Sequence, residues 1–127
     1  MKIKGIAADT LALLLMLGKE ADPNEFAAML REEDGVLRDV DLIPGTIGGR
    51  DSASVICDMI PLNIGYAGSA HSHPNGVIRA SEADISFFSR TGSCHIIIGH
   101  PYEENCWGCF RSDGTPVQLE VIHDPAG

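Results

Sequence analysis

A chain of 127 residues with 44% hydrophobic and 21% charged side chains has the make-up of one ordinary globular domain, not of a disordered or fibrous protein. A domain of this length withdraws roughly two thirds of its unfolded surface from water, so it needs neither a disulfide nor a metal in order to fold. Its net charge of −9, with only nine scattered Lys and Arg, argues against a nucleic-acid or anionic-membrane partner and favours a basic or neutral one.

The apolar run Leu11 to Leu17 is too short to span a bilayer. Lys2 and Lys4 precede it, but Glu20 and Asp22 stand where a signal peptide would place a small-residue cleavage site. A cytoplasmic protein is expected, with Cys57, Cys94, Cys106 and Cys109 as thiols. Residues 9 to 20, with Leu11, Leu14, Leu15 and Leu17 apolar and Asp9 or Thr10 as cap, predict a helix. A hairpin follows, with strands over 25–32 and 36–43 joined at Asp34-Gly35, then a glycine-rich loop over 44–52 and a third strand over 54–59. Further strands are predicted over 65–73 and 95–99, with a helix over 81–90 between them. Strands over 107–111 and 117–122 form a closing hairpin around Ser112-Asp113-Gly114, and 123–127 is a fraying tail. The expected fold is α/β: one domain over 1–127, with a mixed, partly curled sheet of six to seven strands flanked by two helices.

The chemistry lies in His71-Ser72-His73-Pro74, followed after six residues by Ser81-Glu82-Ala83-Asp84. Side chains at i and i+2 of a strand project to one face, so His71 and His73 present two imidazoles together while Ser72 points away. Two imidazoles and a carboxylate are the ligand set of a catalytic zinc with its fourth position left to water. Ser81-x-x-Asp84 also has a plain structural reading, an N-cap with the acid of a capping box. The two readings are compatible, because the cap fixes the first helical turn and that turn carries Asp84 towards the imidazoles. Ser81 could also donate a hydrogen bond to an oxyanion at the helix start.

His71-x-His73-Pro74-x6-Ser81-x-x-Asp84, with an acid on the first strand after the N-terminal helix, resembles the JAMM motif of the MPN+ metalloprotease family. The resemblance covers nearly the whole chain, including Pro23-Asn24-Glu25-Phe26 and Pro101-Tyr102-Glu103-Glu104-Asn105, and is nearest to the minimal single-domain members of archaea and bacteria. It implies the MPN/JAB fold, of cytidine deaminase-like type, and one zinc per chain with a bound water. It further implies hydrolysis of a peptide or isopeptide bond at the C-terminal tail of a ubiquitin-like or sulfur-carrier protein. By the same resemblance His71, His73 and Asp84 are the zinc ligands, Glu25 is the general base and Ser81 steadies the oxyanion. Alternation puts Glu25 on the face of Ala27 and Met29, where burial beside the site would raise its proton affinity and a nearby zinc would oppose that.

Competing assignments are a non-catalytic scaffold of the same fold and a two-histidine, one-carboxylate iron oxygenase. In the oxygenase triad the carboxylate lies near the first histidine and the second histidine far downstream, the reverse of the order here. The Cys106-x-x-Cys109 pair opens a strand, which sends its two thiols to opposite faces and discounts a redox or zinc-knuckle motif. His95 and His100 bracket an apolar strand and are read as a hydrogen-bonded strand residue and a strand end, with a second metal as the alternative.

Overall fold

The computed structural model describes residues 3–42, 66–88 and 92–123, without the side chains of 87 and 88. The predicted loop over 44–52, the strand over 54–59, Cys57, and all of the tail but His123 lie outside the described residues. The elements are β1 (Gly5–Ala7), α1 (Ala8–Ala21), β2 (Ala27–Glu33), β3 (Val36–Leu42), β4 (Gly68–His73), α2 (Glu82–Phe88), β5 (Cys94–Gly99), β6 (Trp107–Phe110), β7 (Pro116–Val117) and β8 (Glu120–Ile122). The described strands form one sheet in the order β7-β6-β5-β4-β2-β3-β1-β8. That is eight strands, against the six to seven expected.

The strand missed in the sequence is β1, three apolar residues that run straight into α1 with no turn between them. Ala7 is both the last residue of β1 and the helix N-cap, and it offers no side-chain hydrogen bond. Neither predicted cap serves: the Thr10 hydroxyl donates instead to the Arg38 carbonyl at 2.7 Å, tying the helix to β3. The Asp34-Gly35 hairpin forms as predicted, with φ of +54° and +82° at its two central residues, the signs that a type I′ turn requires.

The predicted last strand is two strands. Its first part, β7, stays in the hairpin with β6, while β8 pairs parallel with β1 at the far edge of the sheet. Three peptide units join Val117 to Glu120, a reach of about 11 Å at most. The two edges of the sheet are therefore brought together, and the sheet is curled towards a barrel.

α1 covers one face. Leu11, Leu14 and Leu15 pack with Ala28, Leu30, Leu37, Ala70, Ile96 and Ile98 in the main core. Alternation along the same strands sends Ala27, Met29, Ile97 and Phe110 to the other face, where they form a smaller cluster against Tyr66, Ile78 and Ala80. β5 is buried on both faces along its whole length, as its continuous apolar sequence predicts. Where β4 meets β5 the backbones touch: a Cβ added at Gly68 would lie 1.5 Å from the Cys94 carbonyl oxygen. No rotamer change relieves a clash with backbone. Gly68→Ala should therefore destabilise the protein by more than about 3 kcal/mol or prevent its folding, as checked by denaturant unfolding of the soluble fraction.

Candidate metal centre

β2 runs antiparallel to β4 with Ala27 opposite His71 and Met29 opposite Ser69, and β4 runs parallel to β5 with His71 beside Ile97 and His73 beside Gly99. One face of the sheet therefore carries Ser69, His71 and His73 in a row, with Ala27 and Met29 on one side and His95 and Ile97 on the other. The pairing ends at Ala27 and His71; continued two residues further it would bring Glu25 towards His73, whose proton affinity the Glu25 charge does raise. The small apolar cluster floors this face, with His71 buried within β4 and His73 at the partly exposed strand end.

The segment after His73 turns back over the same face. Gly76 takes φ +81° and its N–H donates to the His73 carbonyl. Ile78 then fills the space left by two glycines of the sheet: a Cβ at Gly99 would lie 2.8 Å from its Cδ1, and one at Gly108 would lie 3.0 Å from its Cγ2. Ile78 thus pins the loop, and the chain arrives at Ser81 and α2 beside the imidazoles. Ser81 and Asp84 form the reciprocal capping box, Asp84 N–H to Ser81 Oγ at 3.1 Å and Ser81 N–H to Asp84 Oδ2 at 2.9 Å. The same Asp84 Oδ2 lies 3.2 Å from His73 Nε2. The capping box forms as read, and it leaves Asp84 facing an imidazole, so the ligand reading stays compatible with it.

A contact invisible in the sequence orients His73. Its Nδ1 donates to the Val77 carbonyl at 2.9 Å, which leaves Nε2 to face the carboxylate. A neutral imidazole so oriented sets a lone pair against an anionic oxygen, and that arrangement calls for a cation between them. Without metal the cation is a proton. Burial opposes protonation of His73, but the hydrogen bonds to Asp84 and Val77, with the charges of Asp84 and Glu25, outweigh it and raise its affinity above the ordinary imidazole value. Burial likewise pushes Asp84 up, while the bonds from His73 and Ser81 and the nearby imidazoles bring it down to about 2. His71 behaves oppositely, since burial lowers it to about 4 against the pull of Asp84, and at neutral pH it is the uncharged form that ligates metal.

The donor set suits zinc. In a tetrahedral site with bonds of about 2.0–2.1 Å, nitrogen and oxygen donors stand roughly 3.3–3.4 Å apart, close to the spacing of His73 and Asp84. Among the described residues no three such side chains are yet closed around an ion-sized point. His71, one step along β4, is the third donor that would complete the set.

Glu25 is solvent-exposed, so the burial expected to ready it as a base is not present. Ser81 is exposed too, and its hydroxyl, accepting from Asp84, keeps its own proton to donate. His95 lies inside the sheet, with Nδ1 2.8 Å from Ser69 Oγ and Nε2 3.2 Å from the Gly92 carbonyl, a hydrogen-bonded strand residue as predicted. His100 follows the end of β5, also as predicted. Cys106 precedes β6, while Cys109 is buried within it with Sγ 3.2 Å from Cys94 Sγ, a pairing the sequence spacing did not suggest.

A model of the prokaryotic homologues of the JAB domain matches residues 7–110, the span that holds every one of these groups. The chain belongs to the prokaryotic JAB family. A probable metalloprotease of Haloferax volcanii is 40% identical over 131 residues, covering 95% of this chain and 81% of its own length. The JAB1/MPN domain protein of Archaeoglobus fulgidus superposes with a TM-score of 0.78 at 34% identity, over 94% of this chain and 99% of its own. A structure described as a JAMM metalloprotease-like zinc site in the proteasome and signalosome superposes with a TM-score of 0.76 at 32% identity, over 96% and 100%. Among the described residues of this JAB-family chain no helix is long and apolar enough to cross a membrane.

The titrations of this site give the metal-free protein a stability maximum. His71 takes up its proton near pH 6.5 when unfolded and near pH 4 when folded, so stability falls as pH drops through that window, by roughly 3 kcal/mol in full. His73 has the opposite sign: its contribution is complete below pH 6.5 and is lost as pH rises through its raised folded value. Asp84 contributes above pH 3.8 and loses that contribution as pH falls towards 2. Guanidinium unfolding of chelator-treated protein should give its largest free energy near pH 6.5, with a decline between about pH 6.5 and 4 that His71→Asn removes.

Proposed function

We propose that this chain is a zinc-dependent metallopeptidase acting on the peptide or isopeptide bond at the C-terminal tail of a ubiquitin-like or sulfur-carrier protein. The observation that carries the reading is the 3.2 Å approach of His73 Nε2 to a capping-box carboxylate, on a strand whose neighbour sets Glu25 opposite the same histidine. A structural cap alone has no use for an imidazole turned onto it by a second hydrogen bond. The relatives support the metallopeptidase class. The openness of the site, with Glu25 and Ser81 both exposed, supports an extended polypeptide tail as the substrate rather than an enclosed small molecule.

His71, His73 and Asp84 would hold the zinc. When bound, the zinc supplies Lewis-acid activation of water and of the scissile carbonyl. The Glu25 carboxylate accepts the proton of the attacking water and delivers it to the leaving amine, so water and amide become acid and amine with no covalent enzyme intermediate. The Ser81 hydroxyl donates to the carbonyl oxygen as negative charge gathers there, and the N-terminal turn of α2 adds its partial positive charge. The acidic surface suits a basic or neutral modifier surface and disfavours nucleic acid.

Glu25→Gln keeps shape and hydrogen bonding but cannot take a proton. It should retain about one zinc per chain and wild-type thermal stability while losing turnover roughly a hundredfold or more. Ser81→Ala should keep zinc and lose a smaller factor, with about 1 kcal/mol of stability from the cap. Loss of zinc from Glu25→Gln would make Glu25 a ligand, and full activity with zinc retained would place the base elsewhere. The measurements are metal analysis and mass spectrometry of modifier fusions.

Chelation should abolish turnover and leave the fold intact, because the three ligands ride on a strand end and a helix start already fixed by the two apolar clusters. Unfolding on chelation, followed by circular dichroism, would mean that the metal is structural.

A further inference from the structure

Glu25 lies between elements, in the stretch 22–26 that leaves α1 and enters β2. At the downstream end the Ser72 N–H donates to the Phe26 carbonyl at 3.1 Å, and the Phe26 N–H donates to the Ser72 hydroxyl at 2.8 Å. In a regular antiparallel ladder a narrow pair exchanges two backbone bonds, and the second would go to the Ser72 carbonyl. Here a side chain takes the carbonyl's place. Ser72 is fully buried, faces away from the site, and is the residue between the two candidate ligands. At the upstream end the Tyr102 hydroxyl donates to Asp22 Oδ2 at 2.7 Å across 80 residues of sequence. Tyr102 is buried, is in the left-handed region at φ +65°, and has its ring edge against Gly18 of α1. A non-glycine residue is held in that region only where its surroundings over-determine it.

We propose that Ser72 is a positioning residue for the reaction: through the Phe26 N–H its hydroxyl sets Glu25 against the His71–His73 pair, with the Tyr102–Asp22 bond as the second fixed point of the segment. The inference rests on the reading of Glu25 as the base. The hydroxyl stands on the strand that carries both imidazoles, so base and ligands are referred to one short piece of backbone. Loss of the hydroxyl frees the Phe26 amide and lets Glu25 swing while the ligands stay in place.

The test compares wild type, Ser72→Ala, Ser72→Thr, Tyr102→Phe and Glu25→Gln, with Val36→Ala in β3 as a control for general loss of stability. Phe26 amide hydrogen exchange is followed by NMR on metal-free protein. Zinc content, kcat and KM are measured on a linear fusion of a ubiquitin-like protein to a reporter. Ser72→Ala should keep zinc and KM, lose ten- to a hundredfold in kcat, and exchange the Phe26 amide at least tenfold faster. Ser72→Thr should recover most of both, and Tyr102→Phe should lose severalfold in kcat. Val36→Ala should lower Tm without moving kcat or Phe26 exchange. Wild-type kcat in Ser72→Ala, unchanged Phe26 exchange, or a loss no greater than that of Val36→Ala would overturn the proposal. Full turnover by Ser72→Ala beside an inactive Glu25→Gln sinks the positioning role alone. Full turnover by Glu25→Gln beside a slowed Ser72→Ala sinks the base assignment, and faster Phe26 exchange still establishes that Ser72 holds the segment.

Discussion

The antiparallel register of β2 on β4 is the constraint from which the site follows. Because Ala27 stands opposite His71, the residue two places upstream falls opposite His73, and a shift of one residue would send Glu25 to the α1 face. Such a shift is resisted by apolar packing, since it would exchange Ala28 and Leu30 of the main core with Ala27 and Met29 of the smaller cluster. Both faces of β2 are buried over 27–30, so the register is specified twice. The energy that positions the candidate base is thus hydrophobic burial some distance from it, transmitted by a ladder whose last rung is the Ser72 hydroxyl.

Asp84 accepts the Ser81 N–H and meets His73 Nε2 with one oxygen, so the helix that begins at Ser81 and the strand that ends at His73 are joined through a single carboxylate. The Val77 carbonyl fixes which nitrogen of His73 is turned inward. The two imidazoles then differ in kind. His71 is held neutral by burial, and His73 is held ready to carry a positive charge by its acceptors. A divalent cation held here would have to displace the His73 proton, whereas His71 would meet it as a neutral imidazole. Metal affinity would therefore rise with pH as the His73 proton becomes easier to displace, while His71 would add no proton competition near neutrality.

Much of this was legible because it depends on local periodicity. The i, i+2 spacing of His71 and His73 fixes a shared face on any strand, and Ser81-x-x-Asp84 reads as a capping box wherever a helix follows. The hairpin at Asp34-Gly35 is equally local. What escaped was set by tertiary structure. Residues 117–122 alternate like one strand, and the two-residue break that sends β8 to the far edge matters only once the sheet has curled. β1 is three residues long and merges with the helix pattern. Thr10 has the chemistry of a cap but lies inside the helix, because β1 runs straight into α1, and its hydroxyl donates to β3. The exposure of Glu25 depends on where the β2 ladder stops, and there Phe26 bonds to a serine hydroxyl 46 residues away in sequence.

Apart from His71, which is buried within β4, the candidate groups share one feature of place: each sits where a ladder or helix begins or ends. Glu25 precedes the first residue of β2, His73 is the last residue of β4, and Ser81 and Asp84 make the first turn of α2. Interior side chains of β4 and β5 are buried, so a substrate carbonyl could approach only at the partly exposed end of β4, beside His73. Element ends leave side chains accessible while the neighbouring residues remain fixed by burial. The cost of such a place is backbone left without its regular partner, and here that is met by the Ser72 hydroxyl on Phe26, the Val77 carbonyl on His73 and the capping box on α2. These substitute bonds give the site an open side while its neighbouring backbone stays tied, as the proposed polypeptide-tail substrate would require.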